Sequence, residues 1–221
     1  MSVTGPAPGS PTKVGVALVD VLTGLHALSG ILAALHHRDR TGEGQRVDTN
    51  LLASMLSSMV NQASGYLGAG VVPGIMGNRH PSITPYETFD TADRPIALAV
   101  GNDKQFAALA ATLGVPEICA DPRFASNADR VANRDALCAL LAEAFARNGA
   151  DHWYRLLTAA GVPAGPINDL AEAFAYAASL GLAPVVPVPG SDTPQVANPL
   201  TFSHTPVSYR LAPPALGEEA E

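Results

Sequence analysis

The chain has 221 residues, of which 47% are hydrophobic and 15% charged, so it can bury a substantial core. Its formal net charge of −7, without any cluster of lysine and arginine, disfavours a nucleic-acid partner. Cys119 and Cys138 have neither metal-site nor Cys-x-x-Cys spacing, and the N-terminus has no signal-peptide pattern, so we expect two free, partly buried thiols in a cytoplasmic protein.

The first third of the chain is predicted to be mainly helical. Residues 1–11 are rich in Gly, Pro, Ser and Thr, which is typical of a loose lead-in. A long helix is predicted from Asp20 to Arg40, ended by Gly42 and Gly44. The next predicted elements are a short strand at 45–49, a helix capped by Thr49 or Asn50 that runs to about Tyr66, and a Gly- and Pro-rich crossing at 68–85.

The remainder reads as a small α+β unit followed by turn-rich sequence. Residues 95–100 form a short apolar strand, and Asn102 with Gln105 resembles a capping box for a helix that ends at Gly114. Asp169 is a further predicted helix cap. The other expected elements are helices at 132–147, 151–160 and 170–180 and extended segments at 162–167, 185–188 and 200–202.

One carboxylate, Asp20, interrupts an otherwise apolar run of small residues between Val14 and Leu35. An ionised side chain among aliphatic residues is costly to bury unless it is partnered or chemically needed. Gly15, Gly24 and Gly30 lie in the same run, and glycine inside an ordered element costs about 1 kcal/mol relative to alanine. That cost is usually tolerated where backbone, helix or ligand must approach closely, so Asp20 is a candidate functional residue.

Two other interpretations of this run stay open. Asp20 could be a helix N-cap, a role compatible with a nucleophile held ionised at a helix N-terminus. The run is also long enough to cross a membrane. Asp20, Thr23, His26 and Ser29 argue against a membrane span, and no second span accompanies it.

Several separated motifs follow one another along nearly the whole chain. They are Gly9-Ser10-Pro11-Thr12, Gly15, Asp20, Gly24, Gly30–Leu35, Arg38, Thr41, Gly42, Gly44, Gln45, Val47, Gly77-Asn78-x-His80-Pro81, Pro85-Tyr86, Asp121–Phe124, Arg130, Asn133-Arg134, Gly161–Pro166 and Phe202-Ser203-x-Thr205-Pro206. In this order they resemble the class III CoA-transferases, the CaiB/BaiF family. Near the end, Gly217-Glu218 resembles the start of that family's Leu-Gly-Glu-His-Thr, with Glu219 where histidine is usual.

The resemblance implies an α/β fold class, α+β overall, with a remnant of a large doubly wound domain with long helices and a smaller α+β domain. The expected segments are 1–67 in the large domain, 68–94 as linker and active-site loop, 95–180 as the small α+β domain and 181–221 as a return segment. Family members are longer, and their catalytic aspartate lies well inside the chain. We therefore expect an N-terminal CoA-binding lobe to be missing, and no Gly-x-Gly-x-x-Gly or Walker-type loop replaces it.

The resemblance also implies a chemistry. Asp20 would be the nucleophile that attacks an acyl-CoA thioester, with coenzyme A passing between two carboxylic acids through an aspartyl anhydride and an aspartyl-CoA thioester. Gly77, Asn78 and His80 would lie in a substrate-binding loop near it, although His80 could simply be a turn histidine held by the following proline. No HExxH-type spacing indicates a metal site.

Two alternatives to this function stay open. In racemases and isomerases of the same family the equivalent aspartate is an acid/base partner of a histidine, which would fall in the missing part. The isolated chain could also be a non-catalytic fragment or partner subunit. Because family members form interlocked dimers and apolar surface should remain exposed, we expect a homodimer or a companion chain that supplies the N-terminal lobe. Neither nucleic acid nor a membrane is an expected partner.

Overall fold

A 24-residue helix, α1 (Leu18–Thr41), begins the regular structure of the chain, and the computed structural model describes residues 1–217. Gly42 ends α1 with a left-handed backbone, φ 78°, and donates its N–H to the Arg38 carbonyl, as predicted for a C-cap glycine. None of the α1 residues is buried. By length and hydropathy α1 could also cross a membrane, a test that core helices of soluble proteins pass too.

The second predicted helix is divided in two. Asn50 caps α2 (Leu51–Ser57) by accepting a hydrogen bond from the Ala53 N–H at 2.9 Å. The helix then ends, and a second helix, α3 (Val60–Ala69), begins after residues 58–59. Val60 has a left-handed φ of 43°, which is strained for a β-branched residue. The prediction of one continuous helix is therefore wrong, because residues 58–59 separate two helices.

Residues 45–49 do not form the predicted strand, because no described residue pairs with them in a sheet. They pack on α1 instead. A Cβ added to Gly30 would lie 2.8 Å from Cγ1 of Val47, whereas nothing lies within 4 Å of the corresponding positions at Gly15 and Gly24. Of the three glycines in the run, only Gly30 is therefore required by a close approach within the described chain.

The small α+β unit is built on a three-stranded sheet in the order β1-β2-β3. Its strands are β1 (Tyr86–Phe89), β2 (Ile96–Ala99) and β3 (Ala164–Pro166). Strands β1 and β2 are antiparallel, with Tyr86 opposite Ala99 and Phe89 opposite Ile96. Strand β1 lies in the segment predicted to be a linker, so the sequence interpretation missed it.

The helices that pack against this sheet lie between β2 and β3 in the chain. They are α4 (Asp103–Leu113), two 3₁₀ turns (Pro116–Ala120 and Pro122–Phe124), α5 (Asn127–Ala132), α6 (Arg134–Phe145) and α7 (Ala150–Ala159). The Asn102 side chain accepts from the Gln105 N–H as predicted, but the Gln105 side chain accepts from the Gly101 N–H, so the box is displaced by one residue. The core lies here, among Ile96, Leu98, Leu109, Phe124, Leu137, Leu141, Phe145 and Leu157.

The chain divides into two compact units, Met1–Gly165 and the part from Pro166 onward. In the second unit, Asp169 and Glu172 form a full capping box at the start of α8 (Leu170–Ser179), as the Asp169 cap predicted. Strand β4 (Val185–Val186) pairs with β5 (Gln195–Val196). Residues 200–202 form no strand, so the strand predicted there is wrong. Glu218 and Glu219 of the C-terminal motif lie outside the described residues.

A buried arginine ties distant segments of the first unit together. Arg130, 1% exposed, donates from Nε to the Thr84 carbonyl at 3.0 Å and from Nη1 to the Phe124 carbonyl at 3.1 Å. Its Nη2 donates to Asp103 Oδ1 at 2.6 Å, and its guanidinium lies 4.5 Å from the Phe106 ring centroid. All three nitrogens of this cation are satisfied, as burial of a charge requires.

We predict that Gly24→Ala stabilises the chain by about 1 kcal/mol, since alanine is the better helix former and nothing obstructs its methyl group. Gly30→Ala gains the same helix preference but overpacks Val47, which costs about 1–3 kcal/mol. Urea denaturation of the two variants should therefore place Gly30→Ala below Gly24→Ala. Equal midpoints would contradict the close packing of α1 on residue 47.

Arg130→Met should lower the free energy of unfolding by about 2–5 kcal/mol, because it leaves two buried carbonyl groups without donors. Thermal and urea unfolding measure this loss. The matched control is Arg155→Met, at an exposed position, which should move the midpoint little. Similar midpoints for both variants would show that the buried hydrogen bonds are dispensable.

Candidate active site

Asp20 lies in the first turn of α1, three residues after the N-cap, which is Ala17. The N-cap interpretation of Asp20 is therefore wrong, since Ala17 has no side chain able to cap and no side-chain bond forms there. Asp20 is exposed, and within residues 1–217 its carboxylate has no hydrogen bond or ion pair. A negatively charged side chain in the first turn interacts favourably with the helix dipole.

The start of α1 also offers free backbone donors. Among the described residues, no acceptor pairs with the N–H groups of Val19 and Asp20, whereas the Leu18 N–H donates to the Val16 carbonyl and the Val21 N–H to Ala17. The first N–H groups of a helix have no intrahelical partner and are suited to an anion or a developing oxyanion. The nucleophile candidate is thus adjacent to donors of the kind that acyl transfer requires.

The second candidate element is the loop around Gly77, which rests on the N-terminal lead-in. Gly77 has a left-handed φ of 63°, and a Cβ there would lie 3.0 Å from the Pro6 carbonyl oxygen. The lead-in is irregular, as predicted, but it is folded: the Thr12 N–H donates to the Thr4 carbonyl at 2.8 Å. Glycine is therefore needed at position 77 for both conformation and space.

Asn78 and His80 are held by strand β1. The Asn78 amide donates to Thr88 Oγ1 at 2.9 Å, and the His80 ring stacks on Tyr86 with centroids 5.1 Å apart. His80 Nδ1 accepts from the Ser82 N–H at 3.2 Å, which is the turn role that the alternative interpretation expected. When Nδ1 accepts this hydrogen bond, a neutral imidazole has its proton on Nε2, which can then act as a hydrogen-bond donor.

The structure brings three of the four predicted site residues together. Gly77, Asn78 and His80 line a cleft of about 260 Å³, shared with Asn61 and Gln62 of α3. A neighbouring cleft of about 440 Å³ includes Gly77, Asn78 and the lead-in at 6–8. Asp20 is not among the residues that line either of these two clefts.

Four charged or polar residues were not predicted as part of the site: Arg79 within this loop, and Glu87, Arg134 and Cys138 behind it. Glu87 on β1 contacts Arg79, Arg134 and Cys138, and Arg134 Nη2 donates to the His80 carbonyl at 2.7 Å. The signal that could have revealed Glu87 was the short run of strand-forming residues at 86–89 around it. The described residues include no group of three His, Cys, Asp or Glu side chains that could hold a metal ion.

Comparison with known proteins decides the family. A family model described as CoA-transferase family III matches residues 1–220. The chain belongs to CoA-transferase family III. The expected family is thereby confirmed, and the mixture of helices with small antiparallel sheets agrees with the expected α+β fold.

Several named family members are similar over most of this chain. A succinate–glutarate CoA-transferase of Agrobacterium fabrum is 42% identical and is matched over 99% of this chain and 55% of its own length. An acetyl-CoA:oxalate CoA-transferase of Acetobacter aceti is 40% identical over 78% of this chain and 45% of its own. The crystal structure of a CAIB/BAIF family protein from Brucella suis superposes with a TM-score of 0.79 at 40% identity, covering 97% of this chain and 56% of that one. The chain thus spans about half the length of the relatives it matches.

In this family III chain the two cysteines differ in accessibility: both are free, but Cys119 is exposed and only Cys138 is buried. Burial raises the pKa of the Cys138 thiol to about 12, and the Glu87 carboxylate, which accepts a hydrogen bond from Sγ at 3.2 Å, adds to the shift. Cys138 is consequently an unreactive thiol whose ionisation reports on Glu87.

Because the thiolate is the reactive form, iodoacetamide should modify Cys119 well before Cys138 as the pH is raised. Glu87→Gln removes a neighbouring negative charge, so it should lower the pKa of Cys138 and move the onset of its alkylation to lower pH. Peptide mass spectrometry across a pH series measures both sites, and Cys119 serves as the internal control. An unchanged Cys138 profile would contradict the contact with Glu87.

Proposed function

We propose that this chain contributes the nucleophile and part of the acid-binding site of an enzyme that transfers coenzyme A from an acyl-CoA to a carboxylic acid. The observation that carries the proposal is an exposed, unpaired Asp20 in the first turn of α1, beside backbone N–H groups without acceptors. Membership of CoA-transferase family III supports the same chemistry. The complete reaction would require the part of the relatives' length that this chain does not span.

The proposed reaction starts with the carboxylate of Asp20. It attacks the thioester carbonyl carbon, the C–S bond breaks, and CoA thiolate leaves while a mixed anhydride forms. The thiolate then attacks the Asp20 carbonyl carbon, which gives an aspartyl-CoA thioester and releases the donor acid. An acceptor carboxylate attacks the carbonyl carbon of that thioester, the C–S bond breaks, and CoA thiolate leaves while a second anhydride forms. The thiolate finally attacks the acceptor's carbonyl carbon in this anhydride, which gives the new acyl-CoA and releases the Asp20 carboxylate.

Each attack places negative charge on a carbonyl oxygen, which a water-poor site must stabilise. The free N–H groups of Val19 and Asp20 are suited to an oxygen beside the nucleophile. The Gly77–His80 loop would bind substrate, with the Asn78 amide and the Nε2–H of His80 as donors to acyl or carboxylate oxygens. In some family members a run of glycines moves over the aspartate, whereas this loop has a single glycine, so that movement is not part of the proposal.

The acids exchanged are proposed to be dicarboxylic. The names of similar family members specify succinate with glutarate and acetyl-CoA with oxalate. Succinate, glutarate and oxalate each have two carboxylates and acetate has one, so each pair includes at least one dicarboxylic acid. The same names favour transfer over racemisation. The cleft has a polar lining that includes Asn61, Gln62, Asn78 and His80. This lining suits such an acid better than it would suit a purely apolar acyl chain.

Assembly is part of the proposal, because α1 has many exposed apolar side chains. Val21, Leu25, Leu28, Ile31, Leu32 and Leu35 are all more than one-third exposed. Covering this surface would bury apolar area, which is favourable at about 25 cal/mol per Å². We propose that the remaining part of the enzyme, in a homodimer or as a companion chain, covers it in the cytoplasm.

Incubation of the chain with succinyl-CoA or glutaryl-CoA, followed by intact mass measurement and hydroxylamine trapping, tests the nucleophile. We expect derivatisation at Asp20 and its complete loss in Asp20→Asn. The matched control is Asp39→Asn, since Asp39 is an exposed aspartate on the same helix, paired with Arg38. That variant should react like the unmodified chain.

If the chain alone gives no adduct, the measurement is repeated with the missing part supplied from the Agrobacterium fabrum relative. Activity restored only by that addition would show that the chain is one half of the site. Absence of any Asp20 adduct in both experiments would reject the proposed nucleophile. Binding of CoA without an adduct would instead favour proton transfer of the racemase type.

A further inference from the structure

Arg79 lies within the substrate loop and lines both clefts there. Its Nε contacts Glu87 Oε2 at 3.3 Å on the protein side. Its Nη1 contacts Asp135 Oδ1 at 3.1 Å, and the Asp135 side chain is 88% exposed. The guanidinium thus has one contact with a side chain that is only 11% exposed, and one with a carboxylate that is almost fully in water.

The two contacts differ in how easily they can be exchanged. An exposed ion pair contributes little to stability, because water solvates both partners when it opens. Glu87 by contrast would be left buried and without a full partner if it lost Arg79. An incoming anion would therefore displace Asp135 and leave the Arg79–Glu87 contact in place.

The charges behind the loop favour such an exchange. Glu87 lies between two arginines, since Arg134 Nη1 is 3.7 Å from its Oε1. That Nη1 is buried and has no hydrogen-bond partner in the described structure, and the Arg134 side chain is only 9% exposed. Arg79, Arg134 and Glu87 together have a formal charge of +1, which Asp135 now balances from the solvent side.

We infer that Arg79 anchors one carboxylate of the acid substrate at Nη1, the atom that Asp135 now contacts. The Asp135 carboxylate marks where the substrate carboxylate binds and competes with it. Arg79 is then a specificity-determining residue that selects acids with a second carboxylate. This inference rests on the proposed function and adds to it the residue that reads the acid.

Arg134 has a positioning role in this arrangement. Arg134 donates a hydrogen bond to the carbonyl of His80, the residue after Arg79. Glu87 accepts a hydrogen bond from Arg79 Nε. The guanidinium is therefore fixed from the protein side before any ligand arrives, so that less side-chain entropy is lost on binding.

The test is a titration of the full chain with glutarate, followed by calorimetry and by the backbone amide signals of residues 77–80 and 82. Arg79→Met should raise the Kd for glutarate about tenfold or more, as expected for loss of a hydrogen bond between two charged groups. Arg155→Met, which removes an exposed arginine elsewhere, should change the Kd by less than about twofold.

Asp135→Asn should change the Kd for glutarate in the opposite direction. Removal of the competing carboxylate should lower the Kd about twofold to fivefold, the range that an exposed ion pair represents. Asp151→Asn is the matched control, because Asp151 is also exposed and paired with an arginine, Arg94. In the Arg79→Met background, Asp135→Asn should have no effect, since the two residues act on the same carboxylate.

Each outcome separates this inference from the proposed function. If glutarate does not bind, or binds Arg79→Met as tightly as the unmodified chain, the inference is overturned, even where Asp20 forms its adduct. A weaker affinity in Asp135→Asn would also overturn it, since that would make Asp135 a supporting residue. Binding that depends on Arg79 without any Asp20 adduct would support the inference while the proposed function fails.

Discussion

The buried guanidinium of Arg130 is the interaction on which the first unit of the chain depends. It joins Thr84, Phe124 and Asp103, which lie in three segments distant from one another in sequence. A buried cation that lost these acceptors would be unsolvated, so the segments are stable only when they are assembled together. Thr84 precedes strand β1 by two residues, and β1 holds the substrate loop. The geometry of the site therefore depends on a residue that does not line its clefts.

The two ends of the first unit differ in how far they are self-sufficient. The small α+β part buries a contiguous apolar core, whereas none of the 24 residues of α1 is buried. Apolar burial is the dominant favourable contribution to folding. The sheet and its helices can therefore be stable by themselves, while α1 gains little stability from burial within this chain. The proposed nucleophile is thus on the element that most needs a partner surface.

Sequence reasoning succeeded where the determinants are local. The caps at Asn50, Asn102 and Asp169 and the stop at Gly42 were predictable because each depends on residues within one turn. Strand β1 was not predictable in this way, since a strand is defined by its partner and β1 is stabilised by β2. The break at Val60 was not predicted either. The same reason explains why residues 45–49, extended in pattern, form no strand.

The site followed the same division. Asp20 could be proposed because one charge in an apolar run needs an explanation, and the loop could be proposed through its family motif. The Arg79, Glu87 and Arg134 cluster was not, since Glu87 and Arg134 are 47 positions apart in the chain and meet only when β1 packs on α6. Residues 6–17 connect the two parts of the site: Pro6 packs against Gly77, and Ala17 begins α1. This short segment is therefore the covalent link between the contact at Gly77 and the helix that contains the proposed nucleophile.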